Sequence, residues 1–103
     1  MAHELLFKIK TSIRISHNKL DEDVQDSIDA CIADLRKVGI SESKLDTSKE
    51  LDPLILSAVK SYCKAEYTDD PVKAARYQNG YDALKACLVL AEGYGYEEAV
   101  ADE

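Results

Sequence analysis

The stretch LDEDVQDSIDACIADLRKVGI, residues 20–40, decides the fold class. Its apolar side chains recur at steps of three and four residues, which is the spacing of one face of an α-helix. They are Leu20, Val24, Ile28, Cys31, Ile32, Leu35 and Val38. Acidic residues fill the first half, and Arg36 and Lys37 lie in the last turn, as the helix dipole favours. The pattern predicts a helix over residues 19–38.

The end of this helix is predicted to be a Schellman motif. Gly39 can adopt the left-handed conformation that closes a helix, and Ile40 then folds back onto Leu35. The next residues, 40–50, are polar and without strong periodicity. They are therefore predicted to form a loop.

Two further helices each begin with an aspartate followed by a proline. Asp52 and Asp70 are predicted N-caps, and Pro53 and Pro71 occupy the first helical position, where no backbone N–H is needed. Apolar stripes continue from both starts. The predicted helices cover residues 52–67 and 70–92, and an acidic C-terminal tail follows.

The N-terminal segment carries two incompatible patterns. Strict alternation from Leu5 to Ile15 is typical of a half-buried strand. Leu5, Leu6, Ile9 and Ile13, however, share one helical face. A single strand would leave two unpaired edges, but the residues alone leave both interpretations open.

Composition indicates one all-α domain over residues 1–103. The chain has only four glycines and two prolines, which disfavours a turn-rich β fold. A chain of this length can bury about two thirds of its extended surface in a single core. The net charge of −7 argues against binding through phosphate contacts, because that requires clustered lysine and arginine.

No catalytic, cofactor or metal site is predicted. Cys31, Cys63 and Cys87 lack the spacing of a zinc site, and each falls on the apolar stripe of its helix, so we expect three reduced, buried thiols. His3 and His17 have no nucleophile placed beside them, and no glycine-rich phosphate loop is present. No apolar run approaches the roughly 20 residues of a membrane span.

Two surface features are candidates for interactions. Tyr67 and Tyr77, with the neighbouring Arg76, are predicted subunit contacts, because aromatic side chains with a polar tip are enriched at interfaces. Ordinary core packing of the tyrosines is the equal alternative. A second set of acidic residues at helical spacing predicts a solvated face rather than a calcium site. These are Glu22, Asp26 and Asp29.

Two long stretches resemble the head-to-tail connector (adaptor) proteins of tailed phages, a family also called phage DNA-packaging proteins. Residues 9–35, IKTSIRISHNKLDEDVQDSIDACIADL, are similar to a Val/Ile-Lys-x-x-Leu/Ile-Arg-Ile segment followed by an acidic turn and an amphipathic helix. Residues 52–88, DPLILSAVKSYCKAEYTDDPVKAARYQNGYDALKACL, are similar to the family's second half. There an Asp-Pro-Leu-Ile helix leads to an Ala-x-Arg-Tyr/Phe-Gln-x-x-Tyr-Asp-x-Leu-Lys helix. The chain departs from the family pattern at Ser16, in the 40–50 loop and in its Gly-Tyr-Gly-Tyr ending.

The resemblance implies both a fold and a function. The family's first segment is helical, so residues 3–13 are predicted to be a helix, with Ile15 packing from the turn that follows. The implied function is that of a virion neck protein, assembled in the bacterial cytoplasm as a dodecameric ring. Its partners would be further copies of itself, the portal protein and the next neck or tail-completion protein. DNA would pass through without specific binding, along a neutral or acidic lumen. The candidate linings are the face formed by Glu22, Asp26 and Asp29 and the acidic tail, residues 92–103, and the sequence leaves open which of them faces the lumen.

Two other classes of function stay open at this stage. A small cytosolic regulatory or protein-interaction domain would bind a partner helix and remain monomeric or dimeric. A helix-turn-helix protein would bind DNA, which the acidic charge disfavours.

Overall fold

The computed structural model describes residues 2–15 and 19–90, with side chains from Leu5 onward. The helices are α1 (Ala2–Ser12), α2 (Asp21–Lys37), α3 (Pro53–Tyr67) and α4 (Pro71–Leu90), and a 3₁₀ turn, Glu42–Lys44, lies in the loop before α3. No strand occurs among these residues, so the prediction of a small all-α bundle is confirmed. Residues 91 and 92 and the acidic tail lie outside the described part.

The N-terminal segment is a helix, and its alternating pattern misleads. Ile9 is fully buried and Leu5 almost so, whereas Phe7 is 70% exposed although it belongs to the alternating set. The helical face is the one that packs, because α1 lies against both α2 and α3. Ile15 packs against the core from the following turn, as predicted.

A left-handed residue closes α1. Arg14 has φ 64°, and the N–H of Ile15 donates to the carbonyl of Lys10 at 2.9 Å. This is the Schellman arrangement, although a side chain in this conformation costs about 1–2 kcal/mol that glycine avoids. The strained backbone turns the Arg14 side chain toward the end of the bundle where α3 and α4 meet.

The predicted end of α2 is confirmed in detail. Gly39 has φ 104°, and the N–H of Ile40 donates to the carbonyl of Leu35 at 3.1 Å. Both Leu35 and Ile40 are fully buried. The turn therefore satisfies an end carbonyl and adds an apolar contact at the same time.

Helix α3 is central to the core, and α4 lies along its outer side. Ile55, Ala58, Val59 and Cys63 of α3 are fully buried, and α3 contacts all three other helices. The buried residues of α4 are only Tyr81 and Leu88. Its most extensive contact by far is with α3, so most of its surface remains uncovered.

This placement corrects the prediction that all three cysteines are buried. Cys31 and Cys63 are buried, and burial raises the pKa of each thiol to about 12. Cys87 is exposed, because α4 has core on only one side and this residue faces away from it. Val72, which the same apolar pattern placed in the core, is likewise 67% exposed.

The two predicted helix caps have different outcomes. The Asp70 carboxylate accepts hydrogen bonds from the N–H groups of Val72 at 2.9 Å and Lys73 at 3.4 Å, as predicted. Asp52 occupies the N-cap position of α3, but its side chain makes no capping hydrogen bond. At that end, the Asp52 carbonyl accepts the N–H of Leu56, and the following proline supplies the helical backbone angle.

We expect Asp70→Ala to lower the free energy of unfolding by about 1 kcal/mol, because two N–H groups at the start of α4 lose their acceptor. Chemical denaturation followed by circular dichroism measures the change. Asp69→Ala is the matched control, since it removes an adjacent exposed carboxylate that makes no cap hydrogen bond. Equal midpoints for the two variants would contradict the capping role.

Candidate functional site

A cleft of about 380 Å³ opens where the end of α1, the end of α3 and the start of α4 meet. We call it the corner cleft. Its lining consists of Ser12, Ile13, Arg14, Lys64, Tyr67, Thr68, Asp69, Lys73 and Tyr77. The Arg14 turn closes α1 and the Asp70 cap begins α4, so short-range backbone features shape two sides of the cleft.

The structure brings two of the predicted contact residues into this cleft. Tyr67 ends α3 and is half-buried, and burial raises the pKa of its phenol. Tyr77 lies one and a half turns into α4, and the Lys64 ammonium sits 5.5 Å from its ring centroid. Arg76 is exposed on α4 and does not line the cleft. Neither tyrosine belongs to the fully buried core.

The cleft is locally basic in an acidic protein. Arg14, Lys64 and Lys73 line it, against a single carboxylate from Asp69. None of the three cations forms a salt bridge with a carboxylate in residues 5–15 or 19–90, whereas other cations do, such as Lys85. The sequence alone does not reveal this set, because its members come from two helices and a turn and no short-range spacing links them.

The predicted acidic face remains in solvent. Glu22, Asp26 and Asp29 are all exposed on α2. The Gln25 amide donates to the Asp29 carboxylate at 2.9 Å, which satisfies one acid within the helix itself. Among the described side chains, no group of three or more His, Cys, Asp or Glu residues is placed to hold a metal ion.

A polar network joins α4 to α2 beside the core. The Tyr81 hydroxyl donates to the Asp34 carboxylate at 2.6 Å, and the Lys85 ammonium donates to the same oxygen at 2.9 Å. Lys85 also lies 5.1 Å from the Tyr81 ring centroid. These hydrogen bonds hold the pKa of Asp34 below its usual value, and the one from Tyr81 has the larger effect. The sequence contains one weak signal for this network, because Asp34 lies between buried apolar positions of α2.

Comparison with known proteins identifies the family. A family model described as phage connector protein matches residues 5–95, which reach from α1 past the end of α4. The chain belongs to the phage connector protein family. No curated protein and no solved structure matches it significantly.

Membership in this family indicates the general function of the connector. The family is structural, and it implies a role that joins virion components such as the portal or the tail, at the virion neck. Nothing in the described residues offers positive evidence of catalysis. None of the described helices is both long and apolar enough to cross a membrane.

The Asp34 network makes stability depend on pH. Because the folded pKa of Asp34 lies below its ordinary value of 3.8, the network stabilises the fold above that value and the contribution is lost as pH falls through the folded pKa. We expect Asp34→Asn to lower the free energy of unfolding by about 1–2 kcal/mol at pH 7, since two hydrogen bonds to a charged group are weakened.

The loss should shrink as the pH is lowered below about 4, because Asp34 of the unfolded wild-type chain then takes up a proton, and it should vanish below the lower pKa of the folded carboxylate. Denaturant unfolding at neutral and acidic pH measures both proteins. Tyr81→Phe is the companion variant, because it removes the largest cause of the pKa depression and keeps the ring. A difference between wild type and Asp34→Asn that does not change with pH would contradict this account.

Proposed function

We propose that the connector forms a homo-oligomeric ring, dodecameric as the resemblance implies, that binds beneath the portal at the capsid vertex. The ring extends the DNA channel and gives the tail or the next neck protein its docking platform. The observation that carries this proposal is the family match over residues 5–95, which spans every helix that forms the bundle. The alternative is a small regulatory domain that never assembles beyond a dimer.

The surface of the single chain supports assembly. Phe7 on α1 is 70% exposed and Val72 on α4 is 67% exposed. Aromatic side chains are enriched where proteins contact their partners. A closed ring requires a heterologous interface in which each subunit offers two different surfaces. Exposed apolar residues on two different helices suit that requirement.

The corner cleft is the second support for a subunit interface. Tyr67 and Tyr77 line it, and Arg76 is exposed on the neighbouring surface of α4. Interfaces are enriched in tyrosine and arginine, since both combine a large contact area with hydrogen-bonding groups. We assign these three residues to one side of the subunit contact.

We further propose that the acidic face of α2 lines the channel. Lysine or arginine in that position would form phosphate contacts and resist the movement of DNA. Glu22, Asp26 and Asp29 provide a solvated, negatively charged surface instead. DNA would then slide past the ring without being held.

The ring predicts a characteristic dependence of mass on concentration. We expect analytical ultracentrifugation and native mass spectrometry to show large closed oligomers at high concentration, or after mixing with the partner portal. Phe7→Ser should weaken association by at least about fivefold, because truncating an interface aromatic that contributes to binding removes more than about 1 kcal/mol. Lys8→Ser, one residue along the same exposed helix, is the control. A monomer or dimer under all these conditions would favour the regulatory alternative.

The proposed lumen predicts how charge affects DNA binding. We expect the wild-type ring to show no mobility shift of duplex DNA at physiological salt. The double variant Glu22→Lys, Asp26→Lys should gain salt-dependent binding of duplex DNA. The control, Glu50→Lys, Asp82→Lys, makes the same charge change on other exposed sites. It should bind DNA at least about tenfold more weakly than the first variant. Equal binding by the two variants would place the α2 face outside the channel.

A further inference from the structure

We propose that the corner cleft receives the acidic segment, residues 92–103, of a neighbouring copy of this chain. The inference rests on the proposed ring and names the contact that joins its subunits head to tail. The geometry that points to it is a basic, tyrosine-lined cleft at one end of α4 and an acidic, tyrosine-containing segment that follows the other end.

The cleft has the charge of an acceptor for carboxylates. Lys64 and Lys73 flank it from α3 and α4, and Arg14 enters it from the turn after α1. In the described residues these cations have no salt-bridge partner. Three like charges around one concave surface repel one another, and a bound carboxylate relieves that repulsion while forming charge-assisted hydrogen bonds.

The acidic segment has the complementary chemistry. Its sequence, EGYGYEEAVADE, contains five carboxylates and no lysine or arginine. Glu97 and Glu98 follow directly after Tyr96. A tyrosine ring offers a face to a lysine ammonium, an arrangement that Lys64 and Tyr77 already show within the cleft. An aromatic residue next to paired carboxylates therefore fits a cleft that contains both tyrosines and cations.

For the Glu97 and Glu98 pair, length favours a neighbouring copy over the same chain. The path along α4 from Leu90 back to Tyr77 is about 20 Å, and to Lys73 about 25 Å, at 1.5 Å per residue. Glu97 and Glu98 are seven and eight residues beyond Leu90, a reach of roughly 25 Å when fully extended. Reversing direction after α4 consumes three or four of those residues, so the pair falls short of its own cleft. A copy placed head to tail brings its segment to the cleft directly.

The same observations disfavour DNA as the occupant. A duplex is bound by a track of cations along its backbone, whereas this site is one corner with three cations. The chain's net charge of −7 also repels a polyanion at long range. A short acidic peptide is the ligand whose size and charge suit the cleft.

Charge reversal tests the contact in the full-length chain. The cleft variant is Lys64→Glu, Lys73→Glu, and the segment variant is Glu97→Lys, Glu98→Lys. We expect each alone to associate at least about tenfold more weakly than wild type by sedimentation velocity, because its cleft and segment then carry the same charge. An equimolar mixture of the two should recover association, since each cleft meets an oppositely charged segment only on the other variant.

The control and the opposing outcomes are specific. Lys37→Glu, Lys60→Glu makes the same charge change outside the cleft and should associate like wild type, and circular dichroism confirms that all variants are folded. This inference would be overturned if the cleft variant formed rings as well as the wild type does, or if the equimolar mixture did not recover association. Either result would leave the proposed function standing. Loss of portal or DNA binding with normal rings would assign the cleft to that partner instead. A wild type that never assembles would refute the proposed function itself.

Discussion

The buried hydroxyl of Tyr81 is the constraint on which the position of α4 depends. Its ring packs edge-on against Tyr62, with centroids 5.2 Å apart, and its residue surface is only 1% exposed. A phenol placed there without a partner would cost about 1–3 kcal/mol. Asp34 on α2 supplies the acceptor. This hydrogen bond therefore helps to hold α4 in place against α2, because moving the buried hydroxyl away from Asp34 would leave it without its acceptor.

The location of the corner cleft depends in part on that contact. Lys73 and Tyr77 lie on the same helix as Tyr81, two turns and one turn before it, so the network beside the core also positions one wall of the cleft. The opposite wall depends on the left-handed turn at Arg14. The corner cleft is thus assembled from two local features that are unrelated in sequence and meet only in the folded chain.

A largely uncovered α4 links the fold to the connector role. A helix that buries only Tyr81 and Leu88 contributes little to the core for its length. In the proposed ring, this uncovered surface would be completed by further copies or by other virion components, because a ring subunit must keep apolar and charged area available for two different neighbours.

The sequence by itself determined the helices, because the signals for them are local. Spacing of three and four residues, the glycine at position 39 and the Asp-Pro pairs act within one or two turns, and they placed α2, α3 and α4 closely. The sequence also selected Tyr67 and Tyr77, which the structure brings into one cleft. The N-terminal helix was predicted from the family resemblance, because the spacing of apolar residues in this short segment fits both a strand and a helix.

Tertiary structure alone decided which faces of those helices are covered. Apolar spacing predicted Cys87 as buried, yet burial requires a neighbour on that side, and α4 packs extensively only against α3. Local sequence also does not show that Arg14, Lys64 and Lys73 lie close together, because nothing within a few residues of any one of them indicates the other two. Helix formation depends on the spacing of residues that are near one another in sequence. Exposure and charge clustering depend instead on where whole helices lie, and long-range contacts such as that of Tyr81 with Asp34 determine those positions.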